Sequence, residues 1–322
     1  MDNLRRLGNS VVVPITADAE RFTGRECPLR DCKGYFKIEL GTGLKGENLP
    51  CHCPYCGHVA GNDHFWTQEQ IDYAKSVARR RITDAVHKDL KSFEFDHQPK
   101  GACGVGISLK VKLGHPTPIR DYREKRLETE IVCSNCTLRY SVYGVFAFCP
   151  DCGRHNSLQI LGKNLEVVGK MLDLATETEK ALAERLIENA LGDCVSAFDG
   201  FGRELCRIHA NRASNPAKAE TMRFQNLDGA KARYLDLFGI DLSANVAAED
   251  WSAAVRAFQK RHLVVHKVGV VDQDYIAKSG DTRAVVGRKI GVDAEEVRTL
   301  ATIISRLAPC MSASLEQLEK TP

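Results

Sequence analysis

Cys133-Ser-Asn-Cys136-Thr-Leu-Arg-Tyr-Ser-Val-Tyr-Gly-Val-Phe-Ala-Phe-Cys149-Pro-Asp-Cys152-Gly153 is the stretch whose reading decides the N-terminal half. It holds two cysteine pairs, each with two residues between the thiols, and twelve residues separate the pairs. A tetrahedral zinc needs four soft ligands, and a two-residue gap lets a tight turn aim two sulfurs at one ion. Arg139 to Phe148 can supply the strands of a ribbon, and Gly153 can adopt the positive φ that follows such a knuckle. Four unrelated buried thiols is the plain alternative, and this spacing argues against it.

Toward the N-terminus, Cys53-Pro-Tyr-Cys56-Gly57 repeats the knuckle, but its partner Cys27-Pro-Leu-Arg-Asp-Cys32 has four residues between the thiols. Gly34 to Glu39 follows as a strand, so the layout remains ribbon-like. Cys27, Cys32, Cys53 and Cys56 are the expected first ligand set, with Cys51 as the substitute and His52 close enough to compete. Both sites are closed by four protein ligands and leave no position for an activated water, the pattern of structural zinc. Such an ion contributes an apparent ~10–16 kcal/mol to folding a small domain.

Working outward, ten of the thirteen cysteines precede residue 155, and the rest of the chain is helix-periodic. The expected fold class is therefore an α+β N-terminal half with two four-cysteine zinc ribbons and an all-α C-terminal half. The expected segments are a first ribbon at 1–66, a helix-plus-strand connector at 67–126, a second ribbon at 127–160 and a helical domain at 161–322, with the main boundary near 157–165. Thr67 and Gln70 have the spacing of a capping box, and Ile71, Ala74, Ala78, Ile82, Ala85, Val86, Leu90 and Phe93 recur behind it at helical intervals. Gly101 to Gly106 breaks that pattern, and Ile107 to Leu113 alternates as a half-buried strand. Arg79-Arg80-Arg81 reads as a solvated helix face, or alternatively as a phosphate-contacting patch. Further on, helices are expected over about 176–210, 219–237, 249–266 and 294–318, the last opened by Asp293 and Glu296. Thr282 to Gly291 resembles a short hairpin. No internal repeat or low-complexity tract is evident.

Composition bounds the partners. Hydrophobic residues are 43% and charged residues 27%, as in an ordinary globular protein. No apolar run reaches the ~20 residues of a membrane span, and no signal peptide follows Met1, so the expectation is a cytoplasmic protein without a membrane partner. In that reducing compartment, short-spaced cysteines favour metal over disulfides. The formal charge is +3, and two four-thiolate zinc centres at about −2 each bring it close to neutrality. No global field advertises nucleic acid, so any basic surface is local. Cys51, Cys103, Cys194, Cys206 and Cys310 remain, and Cys194 and Cys206 fall on apolar helical stretches.

The strongest signal outside the cysteines is Lys260-Arg-His262-Leu-Val-Val-His266-Lys-Val-Gly269-Val-Val-Asp272. It resembles the HEPN superfamily, all-helical nucleotide- and RNA-binding domains of which many are metal-independent endoribonucleases. Their motif is an arginine, then a small or polar residue, then a histidine after four to six residues in all. Arg261, His262 and His266 match it. Gly269, Asp272 and Tyr275 are similar to the continuation in one bacterial branch, where an asparagine is common in place of Lys267. The likeness covers about 161–318, with Ala197-Phe-Asp-Gly-Phe-Gly-Arg-Glu-Leu-Cys206 and Asp250-Trp251 supporting it. It implies an all-α HEPN-like bundle, RNA as substrate, a homodimer through the helical domain, and a role as a bacterial toxin or phage-defence effector. The ribbons would recognise nucleic acid or a protein partner.

The chemistry stands without the family. Cleavage of RNA by its own 2′-hydroxyl needs a base, electrostatic help for the phosphorane and an acid for the 5′-oxygen. Histidine can be base or acid near neutrality, and arginine offers a bidentate fork to phosphate. Arg261 and His266 are about 140° apart on an ideal helix, so they would flank a cleft, and two subunits would enclose one phosphate. The plainer readings are a core histidine at His262, which shares a helix face with Trp251, Val255, Phe258 and Val265, and helix-end capping for Arg261 and His266. The rival at the level of function is a non-catalytic RNA- or protein-binding adaptor with an inactive HEPN domain. A zinc-ribbon transcription regulator is weaker, because no helix-turn-helix signature appears.

Overall fold

The computed structural model describes residues 2–46, 49–97, 107–112 and 114–320, which form two compact units dividing between Arg154 and His155. The break falls a few residues before the expected boundary. Cys103, the Gly101 to Gly106 break and Leu113 lie outside the described residues.

The first unit runs through α1 (Asp2–Arg6), β1 (Phe22–Glu26), β2 (Tyr35–Glu39), β3 (Pro50–His52), β4 (Val59–Gly61), α2 (Gln68–Lys91), β5 (Phe95–His97), β6 (Ile107–Leu109), β7 (Thr129–Val132) and β8 (Arg139–Val142). β1, β2, β8 and β7 make one antiparallel sheet in that order, so both expected ribbons contribute two strands to a common sheet. The join is short: Lys37 pairs with Ser141 and Ile38 with Tyr140. Both cysteine sets share one core with Phe36, Ile38, Ile131, Leu138, Tyr140 and Val142. β2 is buried along its whole length, including two charged side chains. Lys37 is tolerated there because Asp18 lies 2.7 Å away, and Glu39 because Arg21 and Arg139 pair with it at 3.1 and 2.8 Å.

α2 begins with the expected capping box: Thr67 accepts from the Gln70 amide, and the Gln70 side chain accepts from the Thr67 amide. Gln70 also donates to the Gly24 carbonyl and to Glu124, which fixes the helix start against β1. β6 spans only Ile107–Leu109 and all three residues are exposed, so the half-buried strand expected there is a short surface ladder with β5. Arg80 pairs with Asp84 and donates to the Thr117 carbonyl, and Arg81 donates to the Val12 carbonyl. Two of the three arginines therefore hold chain segments against α2.

The second unit is helical: α3 (Ser157–Ala175), α4 (Lys180–Ile208), α5 (Pro216–Glu220), α6 (Leu227–Phe238), α7 (Ala248–His266), α8 (Gln273–Ser279) and α9 (Ala294–Lys320). α3 was not among the expected helices, although Leu161, Leu165, Val168, Leu172 and Ala175 repeat at helical spacing and face the core. Phe198, Phe201, Phe224, Tyr234 and Phe258 form the aromatic centre. The Ala197–Cys206 block gives this centre its shape. Asp199 accepts from the buried Phe224 amide at 2.6 Å, and a Cβ on Gly202 would come within 2.6 Å of the Phe224 ring. Residues 282–291 do not form a hairpin. They pair instead with the segment after α7, through a bridge between Val270 and Lys289 and bonds from Gly287 to Val271 and from Ile290 to Gly269.

Candidate metal centres and candidate active site

Each four-cysteine set is assembled by the same local device. β1 leads into Cys27 and Cys32, β2 follows, and Cys53 and Cys56 close the set; β7 leads into Cys133 and Cys136, β8 follows, and Cys149 and Cys152 close the other. The residue after the second cysteine of every pair is left-handed: Lys33, Gly57, Thr137 and Gly153 have φ of 44°, 71°, 65° and 68°. The amides of Gly57, Thr137 and Gly153 turn back onto the carbonyl of the first cysteine of their knuckle, each at 3.0 Å, whereas Lys33, in the longer pair, donates to the Leu29 carbonyl at 3.0 Å. Lys33 and Thr137 take up the strain that glycine avoids, of order 1–3 kcal/mol each.

The sulfurs fit a tetrahedral ion. Cys27–Cys56 and Cys32–Cys53 are 3.7 Å apart, Cys133–Cys152 is 3.7 Å and Cys136–Cys149 is 3.5 Å. A tetrahedron with metal–sulfur bonds of ~2.3 Å has edges of ~3.8 Å. These separations are far too long for disulfides. Burial pushes the Cys27 and Cys136 thiols up to about 11 and raises Cys53 and Cys149 further, so a cation is what would hold four thiolates together. The Tyr140 hydroxyl is buried without a hydrogen-bond partner, and that burial, with the field of all four thiols of the second set, pushes its pKa up. Each set could hold one metal ion. Cys51 and His52 stand outside the first set, the His52 ring lying 3.2 Å from the Pro150 carbonyl.

The motif residues lie at the C-terminal end of α7. His262 and His266 are both exposed, with ring centroids 4.9 Å apart. His262 is therefore not a core histidine, even though Val255 and Phe258 on its face are buried. Partial burial, then His266, Lys267, Lys278 and Arg261, lower its pKa below the ordinary 6.5. Arg261 is half-buried, with its Nε enclosed and without a hydrogen-bond partner. The structure brings the two histidines together and records no contact between Arg261 and His266. Lys260 turns the other way and pairs with Glu296 at 2.6 Å.

After α7 the chain reverses through Val268, whose φ of 52° is rare for a β-branched residue, and Gly269. The reversal lets Lys267 pair with Asp272, which also caps α8 by accepting from the Tyr275 amide at 2.8 Å. A cleft of about 130 Å³ results beside His262, walled by Gln259, Asn226, Lys267, Tyr275 and Lys278. The motif alone did not point to this cleft, because α8 and the start of α6 supply much of it. The signal that could have found it is the spacing of Gln259, His262 and His266, which places them along one side of α7.

Among the described residues no helix is long and apolar enough to cross a membrane. Comparison of the chain with protein-family models, curated proteins and solved structures finds no match in any of the three.

Proposed function

We propose that this chain is a metal-independent endoribonuclease whose helical unit cuts RNA, with zinc as the structural ion of both cysteine sets. The observation that carries the reading is the exposed His262–His266 ring pair at 4.9 Å. Two imidazoles this close do not both charge readily, so one is held neutral as a base while the other serves as an acid. His262, with its lowered pKa, fits the base. It takes the 2′-hydroxyl proton, the 2′-oxygen attacks phosphorus, and His266 protonates the departing 5′-oxygen. The products are a 2′,3′-cyclic phosphate and a free 5′-hydroxyl. Arg261, with no carboxylate partner among the described residues, fits the role of phosphorane stabiliser. The HEPN resemblance implies metal-independent RNA cleavage by Arg261 and His266 at a homodimer seam, and with it a toxin or defence role. The proposed setting is cytoplasmic, and no described helix is long and apolar enough to cross a membrane.

RNA incubated with the purified protein in EDTA, followed by analysis of the new 3′ ends, tests the reading. Cyclic phosphate ends that vanish in His262→Ala and His266→Ala are expected. A 3′-hydroxyl, or a need for added Mg²⁺, would overturn it. The non-catalytic adaptor draws on one observation, the Lys267–Asp272 ion pair, which neutralises the cation next to His266. Tight RNA binding without any cleavage would favour it.

A further inference from the structure

We propose that the cleft beside His262 binds a single nucleobase of the substrate, read by the Gln259 carboxamide. Phe258, Leu263 and Tyr275 lie at its base but are almost fully buried, so most of the surface that meets a ligand is polar. Protein sites for unpaired bases read the base edge with a few hydrogen-bonding groups aimed at it. The volume of about 130 Å³ leaves room for one small planar ring.

The charges on the walls cancel in pairs. Lys267 is matched by Asp272, and Lys278 by Asp274 at 2.9 Å. A phosphate entering the cleft would have to displace a carboxylate from a lysine, whereas a neutral ring would not. The polar groups are also mostly committed. Asn226 accepts from the Gly229 amide, Gln225 donates to Asp199, and the Tyr275 hydroxyl donates to Asp281. Gln259 alone among these amides makes no hydrogen bond within the described residues, although it is half-buried. A carboxamide presents one acceptor and two donors, the complement of a base edge. Gln259 precedes His262 by three positions and His266 by seven, so a base held there would bring its own ribose phosphate alongside the two imidazoles. This assignment rests on the ribonuclease reading only where it invokes cleavage.

The test uses the full chain and two arms. In the first, uridine, cytidine, adenosine, guanosine and inorganic phosphate are titrated separately while the His262 ring proton is followed by NMR. At least one nucleoside should shift that resonance saturably, whether or not phosphate also does so at the imidazole pair, and Gln259→Leu or Gln259→Asn should weaken the nucleoside about tenfold. In the second, cleavage sites are mapped on a mixed-sequence RNA, and the wild-type base preference should flatten in both variants. Absence of any nucleoside response together with an unchanged cleavage pattern overturns the base pocket while leaving the ribonuclease standing. Nucleoside binding that depends on Gln259, without any RNA cleavage, upholds the pocket and sinks the ribonuclease.

Discussion

The His52 amide donates to the Pro150 carbonyl at 2.7 Å, so the residue preceding one knuckle is bonded to the interior of the other. Phe148, which precedes Cys149 as His52 precedes Cys53, returns the bond to Pro54 at 2.8 Å. The two cysteine sets thus interlock about a local pseudo-two-fold relation that the sequence conceals behind unequal spacings.

That interlock leads us to expect coupled metal centres. Cys149→Ser should release metal from the first set as well as the second, while far-ultraviolet circular dichroism of the helical unit stays largely intact. Elemental analysis should find two zinc ions in the wild type and close to none in the variant. One ion retained at full occupancy would show that the sets are independent.

For the histidine pair, His262→Ala and His266→Ala should each cost about two or more orders of magnitude in cleavage rate, with little added by combining them. The acid limb of the pH–rate profile reports protonation of the base. Because His262 is lowered from 6.5, that limb should lie below pH 6.5, with activity lost as pH falls through it. A limb above pH 6.5 would assign the base elsewhere. Arg261→Lys should not restore what Arg261→Ala removes, since an ammonium lacks the planar fork.

Glu204 sits buried between Arg207 at 2.7 Å and His155 at 3.2 Å. Burial alone would raise its pKa, but the bonds from Arg207 and then His155 overcome this and hold it at about 2, below the usual 4.5. Its contribution is therefore fully present above pH 4.5 and lost as pH falls toward 2. Glu204→Gln should lower stability at pH 7 by on the order of 2–3 kcal/mol and flatten the acid limb of a denaturation series. Equal acid sensitivity in variant and wild type would contradict the assignment.

Gly202→Ala places a methyl within 2.6 Å of the Phe224 ring. Overpacking of this kind costs about 1–3 kcal/mol, and thermal unfolding should show it. Gly192→Ala, on the same helix with open space at its Cβ, should instead be neutral or mildly stabilising. Equal melting points for the two variants would mean that the ring yields.

The contrast between what was legible in the sequence and what was not follows the range of the interactions. A knuckle is written in adjacent residues, so the eight cysteines of the two clusters could be read directly, as could the Thr67–Gln70 cap. The union of the two ribbons depends on Lys37–Ser141 and Ile38–Tyr140, two pairs about a hundred residues apart with no local trace. The segment at 282–291 alternates like a strand, but its partner is Val270 and not itself. The helix-face argument for burial of His262 fails because α7 and α8 leave an open cleft beside it, and Val265 farther along is exposed. The cleft needed α6 and α8, whose approach to α7 no spacing encodes.

β2 lies inside the sheet, yet its second neighbour, β8, comes about a hundred residues later. At ~5–20 residues per second, the ribosome leaves that interior edge bare for about 5–20 seconds after β2 emerges. During this interval the first cysteine set is already complete and can take up its ion, while an open strand edge is available to any passing chain. Nascent-chain aggregation and its suppression by chaperones should therefore peak between the emergence of β2 and that of β8, and a shortened connector should relieve it.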